Sequence, residues 1–258
     1  MKKKSEWQTT PIRSSKYAFT PEEIKKILEV AKQHSFRDYC LLLTLALTGR
    51  RVGEIVGSSS WEVTYVNPKY GKQPIEGLTV GNIDFENGII NWTIEKKFKY
   101  VKKKDKNGNE VLVKERVKVP LKAPKILLDT LKEYVNERSK RIPEGMYKNK
   151  EKIIACMKLF PMSRFNVHRI VKKYVKLAGI TNRRRLVHAF RHGFAIAYLK
   201  KSNKPEDLLA FKDQLQHSSV MITEGYLKFL DTQESKVLDE VASEIAPNLN
   251  NATTLTTE

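Results

Sequence analysis

Asn107-Gly108 constrains the fold of this chain more than any other pair of residues. Such a dipeptide accepts the positive φ angles of a tight two-residue hairpin turn. It lies between two β-branched stretches, Gly88-Ile-Ile-Asn-Trp-Thr-Ile94 and Val111-Leu-Val113 continuing to Val117-Lys-Val119. Two runs of this kind about one turn predict a long antiparallel hairpin, with Pro120 ending its second strand because proline cannot donate to a ladder. The span Glu95–Lys118 holds ten bases against four acids, so the hairpin is expected to be strongly cationic and largely solvated.

Around the hairpin the sequence is written in helical periods. Thr20-Pro-Glu-Glu is a capping box with proline at the first helical position, and Ile24, Ile27, Leu28 and Ala31 follow on one face. A more apolar helix is predicted from Phe36 to Leu47, ending at Gly49. Leu127, Leu128, Leu131, Tyr134 and Val135 make another stripe, and Val167, Ile170, Val171, Tyr174, Val175 and Ala178 a further one, capped by Ser163 and closed by Gly179. Segments 186–200, 205–215 and 220–230 read as helices, and Val237, Leu238, Val241 and Ile245 mark a last amphipathic one. Residues 57–81, with a serine run, Pro68, Gly71, Pro74 and Gly77, predict irregular structure or a short inserted hairpin. The expected fold class is mainly α with a small antiparallel β-sheet (α+β). Residues 1–16 are expected to form a basic arm, 17–230 one domain, and 231–258 an acidic tail whose polar end is expected to be disordered.

Composition bounds the partners. With 258 residues, 40% of them hydrophobic, the chain can build a core. Its longest apolar run, Cys40 to Leu47, is far shorter than the ~18 residues of a membrane-spanning helix, and no apolar stretch follows the basic start as in a signal peptide. Two cysteines, Cys40 and Cys156, give neither a disulfide framework nor a thiolate metal site, which predicts an intracellular, cytoplasmic protein. The formal net charge is +19; residues 231–258 hold six acids and one base, a net of −5, so the first 230 residues carry +24. Polyanions are the expected partners, nucleic acid first and an anionic membrane surface second.

Three stretches carry residues suited to chemistry, and each also has a plain structural reading. Arg50 and Arg51, in Thr48-Gly-Arg-Arg-Val-Gly-Glu-Ile55, follow an apolar helix and could simply be cations at its C-terminus. In His188-Ala-Phe-Arg191-His192, His188 and Arg191 share a helix face. The spacing of His188 and His192 also suits zinc, but no Glu lies between them and no Cys is near, so no metal and no cofactor are expected. Leu215-Gln-His217-Ser-Ser219 precedes Tyr226, which alone would read as an amphipathic core tyrosine.

In this order, with a basic hairpin between the first and second, the stretches resemble the tyrosine recombinase (phage integrase) family over about Tyr17 to Leu230. Thr48, Gly49, Arg51, Glu54 and Ile55 match that family's first box, and His188, Arg191 and His192 its second. Leu215, His217, Ser218 and Ser219, with Tyr226 nine residues after the histidine, match the third. The resemblance implies a catalytic domain that cuts and rejoins DNA through a 3′-phosphotyrosyl intermediate on Tyr226, in a virus or mobile element. Arg51 and Arg191 would bind the phosphate oxygens, as guanidinium forks do. His188 would help take the phenolic proton, His217 would hydrogen-bond the phosphate, and a hairpin lysine would protonate the departing 5′ oxygen. Lys96 is preferred for that last role, with Lys97 next and Lys99 a third candidate, while most hairpin lysines would only bind backbone phosphates. Relatives assemble as tetramers on a DNA junction, the segment after the nucleophile docking on a neighbouring protomer; packing back on its own domain is the alternative for residues 231–258.

Three departures from the family pattern stand out. Gln216 replaces the usual Gly, about twenty residues (Ser58 to Gly77) are inserted after the first box, and sixteen residues stand before Tyr17 where many relatives have an N-terminal DNA-clamping domain. Two other readings fit the same residues: a type IB topoisomerase, which relaxes DNA without exchanging partners, and a non-catalytic DNA-binding regulator.

Overall fold

The computed structural model describes residues 18–58, 75–104, 108–142, 149–181, 186–201 and 232–246. Helices α1 (Pro21–His34), α2 (Phe36–Thr48) and α3 (Val52–Val56) come first, then strands β1 (Ile83–Asp84), β2 (Ile89–Lys104) and β3 (Glu110–Lys122). Helices α4 (Lys125–Ser139), α5 (Lys150–Cys156), α6 (Arg164–Leu177), α7 (Leu186–Lys201) and α8 (Thr232–Ile245) follow. The basic arm, most of the insertion, Asn107, the expected helices at 205–215 and 220–230, and the chain's last residues lie outside the described residues.

The helix signals translate into local geometry. At α1 both capping-box bonds form: Glu23 N–H donates to Thr20 Oγ1 at 3.2 Å, and Thr20 N–H donates to Glu23 Oε2 at 2.9 Å. Helix α2 ends on Gly49 at φ 58°, a left-handed position that glycine takes without steric cost. Every α2 residue from Asp38 to Thr48 is buried, and α1, α4, α7 and α8 all pack against it. A helix apolar all round is a central helix, and the sequence pattern said as much. Its one buried carboxylate, Asp38, accepts a hydrogen bond from the Tyr174 hydroxyl of α6 at 3.1 Å.

The sheet is antiparallel in the order β1-β2-β3. Its inner end belongs to the core: Ile90 lies opposite Leu121 and Trp92 opposite Val119, all four buried. Pro120 does not end β3. It pairs with Asn91, and the strand runs on to Lys122, because β3 is an edge strand and an edge tolerates a proline whose missing N–H would face outward. Beyond Thr93 the register breaks and the hairpin continues as an exposed arm to Lys104 and Glu110. The inserted segment has a pinched neck. Ser58 and Ile75 exchange backbone hydrogen bonds at 2.9 and 3.1 Å, and Gly57 and Gly77 lie so close that a Cβ on Gly77 would sit 2.5 Å from the Gly57 nitrogen.

The expected stripe of the acidic tail is in the core of its own chain. Leu238, Val241 and Ile245 of α8 are fully buried, and the helix packs on α1, α2, α4 and α7.

Candidate active site

The site begins where α2 stops. The turn at Gly49 sends the chain through Arg50 and Arg51 into α3, so Arg51 takes an extended backbone at the N-cap position of α3 rather than sitting at the C-terminus of α2. The two arginines part company here. Arg50 turns inward, its side chain wholly buried with the guanidinium 5.2 Å from the centre of the Trp92 ring. Arg51 keeps 19% of its side chain accessible. Glu54, wholly buried, ties them together: its carboxylate accepts from Arg50 Nη1 at 3.4 Å, from Arg51 Nη1 and the Arg51 backbone N–H at 3.3 Å each, and from the Glu95 N–H at 3.1 Å. One carboxylate thus fixes the direction of Arg51 and ties it to the hairpin.

Helix α7 brings Arg191 and His188 to the same place. Arg191 is buried, and its Nη1 donates to the Gly49 carbonyl at 2.6 Å. Loss of solvation, then the charges of Arg51 and Arg50, push its pKa down to about 9, against the pull of Glu54 and Glu95. At neutral pH it still carries its charge, so the locus gathers three guanidiniums around one buried carboxylate. His188 is pushed below the ordinary histidine range by burial first, then by His192, Arg191, His168 and Arg51. It is therefore neutral at pH 7 and free to accept a proton.

The hairpin lysines sit on a distortion of β2. From Thr93 to Phe98 the strand advances five residues while β3 advances two, from Lys118 to Arg116, so Ile94 to Lys97 lie in a wide bulge. Ile94 stays buried, Lys97 is half-buried, and Lys96 and Lys99 are exposed. Glu95, whose N–H reaches Glu54, also accepts from Arg164 Nη2 of α6 at 3.0 Å, and its carbonyl accepts from the Arg116 guanidinium.

The phage integrase family model matches residues 74–233, more than half of the chain. The chain belongs to the phage integrase family. Among curated relatives it is 28% identical to the tyrosine recombinase XerA of Pyrococcus furiosus over 215 residues, 82% of this chain and 57% of that protein. It is 26% identical to the XerC-like tyrosine recombinase of Caldanaerobacter subterraneus over 227 residues, 86% of this chain and 52% of that one. The chain spans little more than half the length of these relatives. A crystal structure of XerA recombinase superposes with a TM-score of 0.51 at 18% identity, covering 88% of this chain and 64% of that one, which shows a shared fold.

In this phage integrase family member, three of the residues singled out from sequence, Arg51, His188 and Arg191, come together although the first lies far from the other two in the chain. The bulge carrying Lys96 and Lys97 is joined to them through Glu54. His217 and Tyr226 lie outside the described residues, inside the family match. In the sequence Glu54 stands out only as part of a motif, and Glu95, Arg116, Arg164 and His168 carry no signal of a site. Glu95 and Arg164 are 69 residues apart, and no local pattern pairs them. Among the described residues no group of three or more His, Cys, Asp or Glu is arranged to hold a metal ion, and no helix is long and apolar enough to cross a membrane.

Proposed function

We propose that this chain is a site-specific DNA strand transferase, a tyrosine recombinase that cuts and rejoins duplex DNA through a covalent bond to Tyr226. The observation that carries the reading is the gathering of Arg191 and Arg51 beside one carboxylate, two like charges that Glu54 and Glu95 offset in part and that an incoming anion would offset further. A scissile phosphodiester is such an anion. Attack at phosphorus builds charge on its non-bridging oxygens, and guanidinium forks held in place beforehand stabilise that charge without reorganising.

The Tyr226 hydroxyl gives its proton to neutral His188 as its oxygen attacks phosphorus. A phenol with a pKa near 10 needs that help at neutral pH. The phosphorus–oxygen bond to the 5′ carbon breaks, and the leaving oxygen takes a proton from the ammonium of Lys96, with Lys97 the alternative donor. His217 donates a hydrogen bond to the phosphate. The product is a 3′-phosphotyrosine that keeps the energy of the phosphodiester. A second strand's 5′ hydroxyl reverses the sequence, and religation consumes neither ATP nor metal.

Duplex DNA as partner is supported by the charge of the body and by the arm, where Lys99, Lys102, Lys103, Lys104 and Lys114 flank the exposed Tyr100. Exchange between two duplexes would require four protomers on a junction. The same chemistry would serve integration of a viral or mobile element and resolution of circular DNA. The test is a library of nicked duplexes with a randomised site, from which a short 5′ end diffuses away after cleavage. A covalent protein–DNA adduct is expected, unchanged by chelator and absent in Tyr226→Phe. Tight DNA binding with no adduct would instead make the chain a binding module, and relaxed circles without recombinant joints would make it a topoisomerase.

A further inference from the structure

Glu95 is held at all three of its polar groups by three different elements. Its N–H donates to Glu54 Oε1 of α3 at 3.1 Å, its carbonyl accepts from Arg116 of β3, and its carboxylate accepts from Arg164 of α6 at 3.0 Å. The ion pair is sheltered, with 14% of the Arg164 and 20% of the Glu95 side chain accessible. Both arginines have further fixtures. Arg116 stacks its guanidinium 4.7 Å from the centre of the Phe98 ring. Arg164 lies flat on α3 over Gly53, where an added Cβ would come within 2.3 Å of Nη2. Surplus residues in a bulge lose their ladder partners and with them their fixed direction. In this bulge the residue immediately before Lys96 is clamped instead.

We propose that the Glu95–Arg164 ion pair is a positioning latch that fixes the β2 bulge, and with it Lys96, against the phosphate site built on Arg51 and Glu54. The latch rests on the strand-transfer reading above and on a bulge lysine as proton donor. Glu95 and Arg164 touch no reacting atom; they act through the lysine. Glu54 makes the arrangement economical: the carboxylate that aims Arg51 also receives the Glu95 N–H, so phosphate clamp and proton donor share one frame. Geometry of this kind matters steeply, since about 1 Å of misplacement costs a catalytic group on the order of 10²-fold.

Bridging sulfur separates a positioning role from a structural one. A thiol ionises near pH 8.5, far below an alcohol, so a 5′ thiolate leaves without being protonated. The duplex recovered from the randomised library is prepared with oxygen or sulfur at the bridging 5′ position of the scissile phosphate, and single-turnover cleavage is followed for wild type, Glu95→Gln, Arg164→Gln and the double variant. Expected are a loss of ten- to a hundredfold on oxygen, wild-type rates on sulfur, and a double variant no slower than either single one, as for residues acting as one unit. The sulfur substrate doubles as the control for folding. Wild-type rates on oxygen in both single variants, or equal losses on oxygen and sulfur, would overturn the latch while leaving strand transfer intact. A wild-type protein that forms no adduct with either substrate removes strand transfer, and the latch with it.

Discussion

Arg191 and His188 sit one turn apart on α7 and answer the same electrostatic environment in different ways. The guanidinium cannot shed its charge at neutral pH, so it keeps it and carries the strain of burial beside Arg51. The imidazole can, and becomes a neutral base. The groups facing it are His192 and Arg191 on its own helix, His168 on α6 and Arg51 ahead of α3, all of which disfavour its cationic form. A base depressed below 6.5 works above its pKa and is lost as pH falls through it. The acid limb of kcat/KM for cleavage, which reports the free enzyme, is therefore expected below pH 6.5, with a plateau through pH 7. His188→Gln should lower the rate by about 10²–10⁴-fold and erase that limb. Stability carries the same sign: a depressed histidine supports the fold above its unfolded pKa and withdraws that support as pH drops through the folded one. Thermal unfolding of wild type should weaken below pH 6.5 more than that of His188→Gln. An acid limb at or above 6.5 would mean that His188 is not the base.

At the scale of elements, the distal hairpin departs from what a packed sheet requires. From Phe98 to Lys104 the ladder with Arg116 to Glu110 is unbroken, yet Tyr100 is 69% and Leu112 68% exposed. Seven pairs at ~3.4 Å make an arm of about 20 Å, and a two-stranded ribbon fits the ~12 Å major groove. Tyr100 faces Lys114 and Leu112 faces Lys102, so the two apolar side chains are diagonal neighbours on one face, among lysines. The lysines differ in what binding would ask of them. Lys102 and Lys103 hold Glu110 and Glu115 at 2.9 and 2.5 Å and would have to release them before meeting a phosphate. Lys99→Ala and Lys104→Ala should each flatten the slope of log K against log salt by about 0.9, and Lys102→Ala and Lys103→Ala by less. Fluorescence anisotropy on a random duplex between 50 and 200 mM salt measures this; four unchanged slopes would show an arm that does not touch the backbone of DNA.

Over the whole molecule, what could be read in the sequence was what is local. Thr20 and Ser163 cap helices because their partners are three residues away, and the α1 and α4 stripes bury the residues their periods mark. The β2 bulge was hidden, since a run of Glu and Lys has no alternation to break. The frame linking Glu54, Glu95 and Arg164 spans separations of 41 and 69 residues that only the folded chain closes. Arg51 and Arg191 were found by motif order, whereas the reason Arg51 rather than Arg50 faces outward needed Trp92 in place. The longest-range feature is α8. It packs on four helices, and it also caps one of them: α4 follows Pro124, which offers no capping side chain, and Asp239 of α8 accepts the Lys125 N–H at 3.1 Å, an anion at a helix N-terminus. A helix that late in the chain can satisfy the same contacts on its own body or, exchanged, on a neighbour's. The two arrangements differ in how stability depends on concentration. With α8 on its own domain, Leu238→Ala should cost about 2–5 kcal/mol and the urea midpoint should not move with protein concentration. With α8 exchanged, folding and association are linked, and the midpoint should rise with concentration. The intramolecular contacts lead us to expect the first in free protein. A midpoint that climbs with concentration would show α8 exchanged between copies of the free chain.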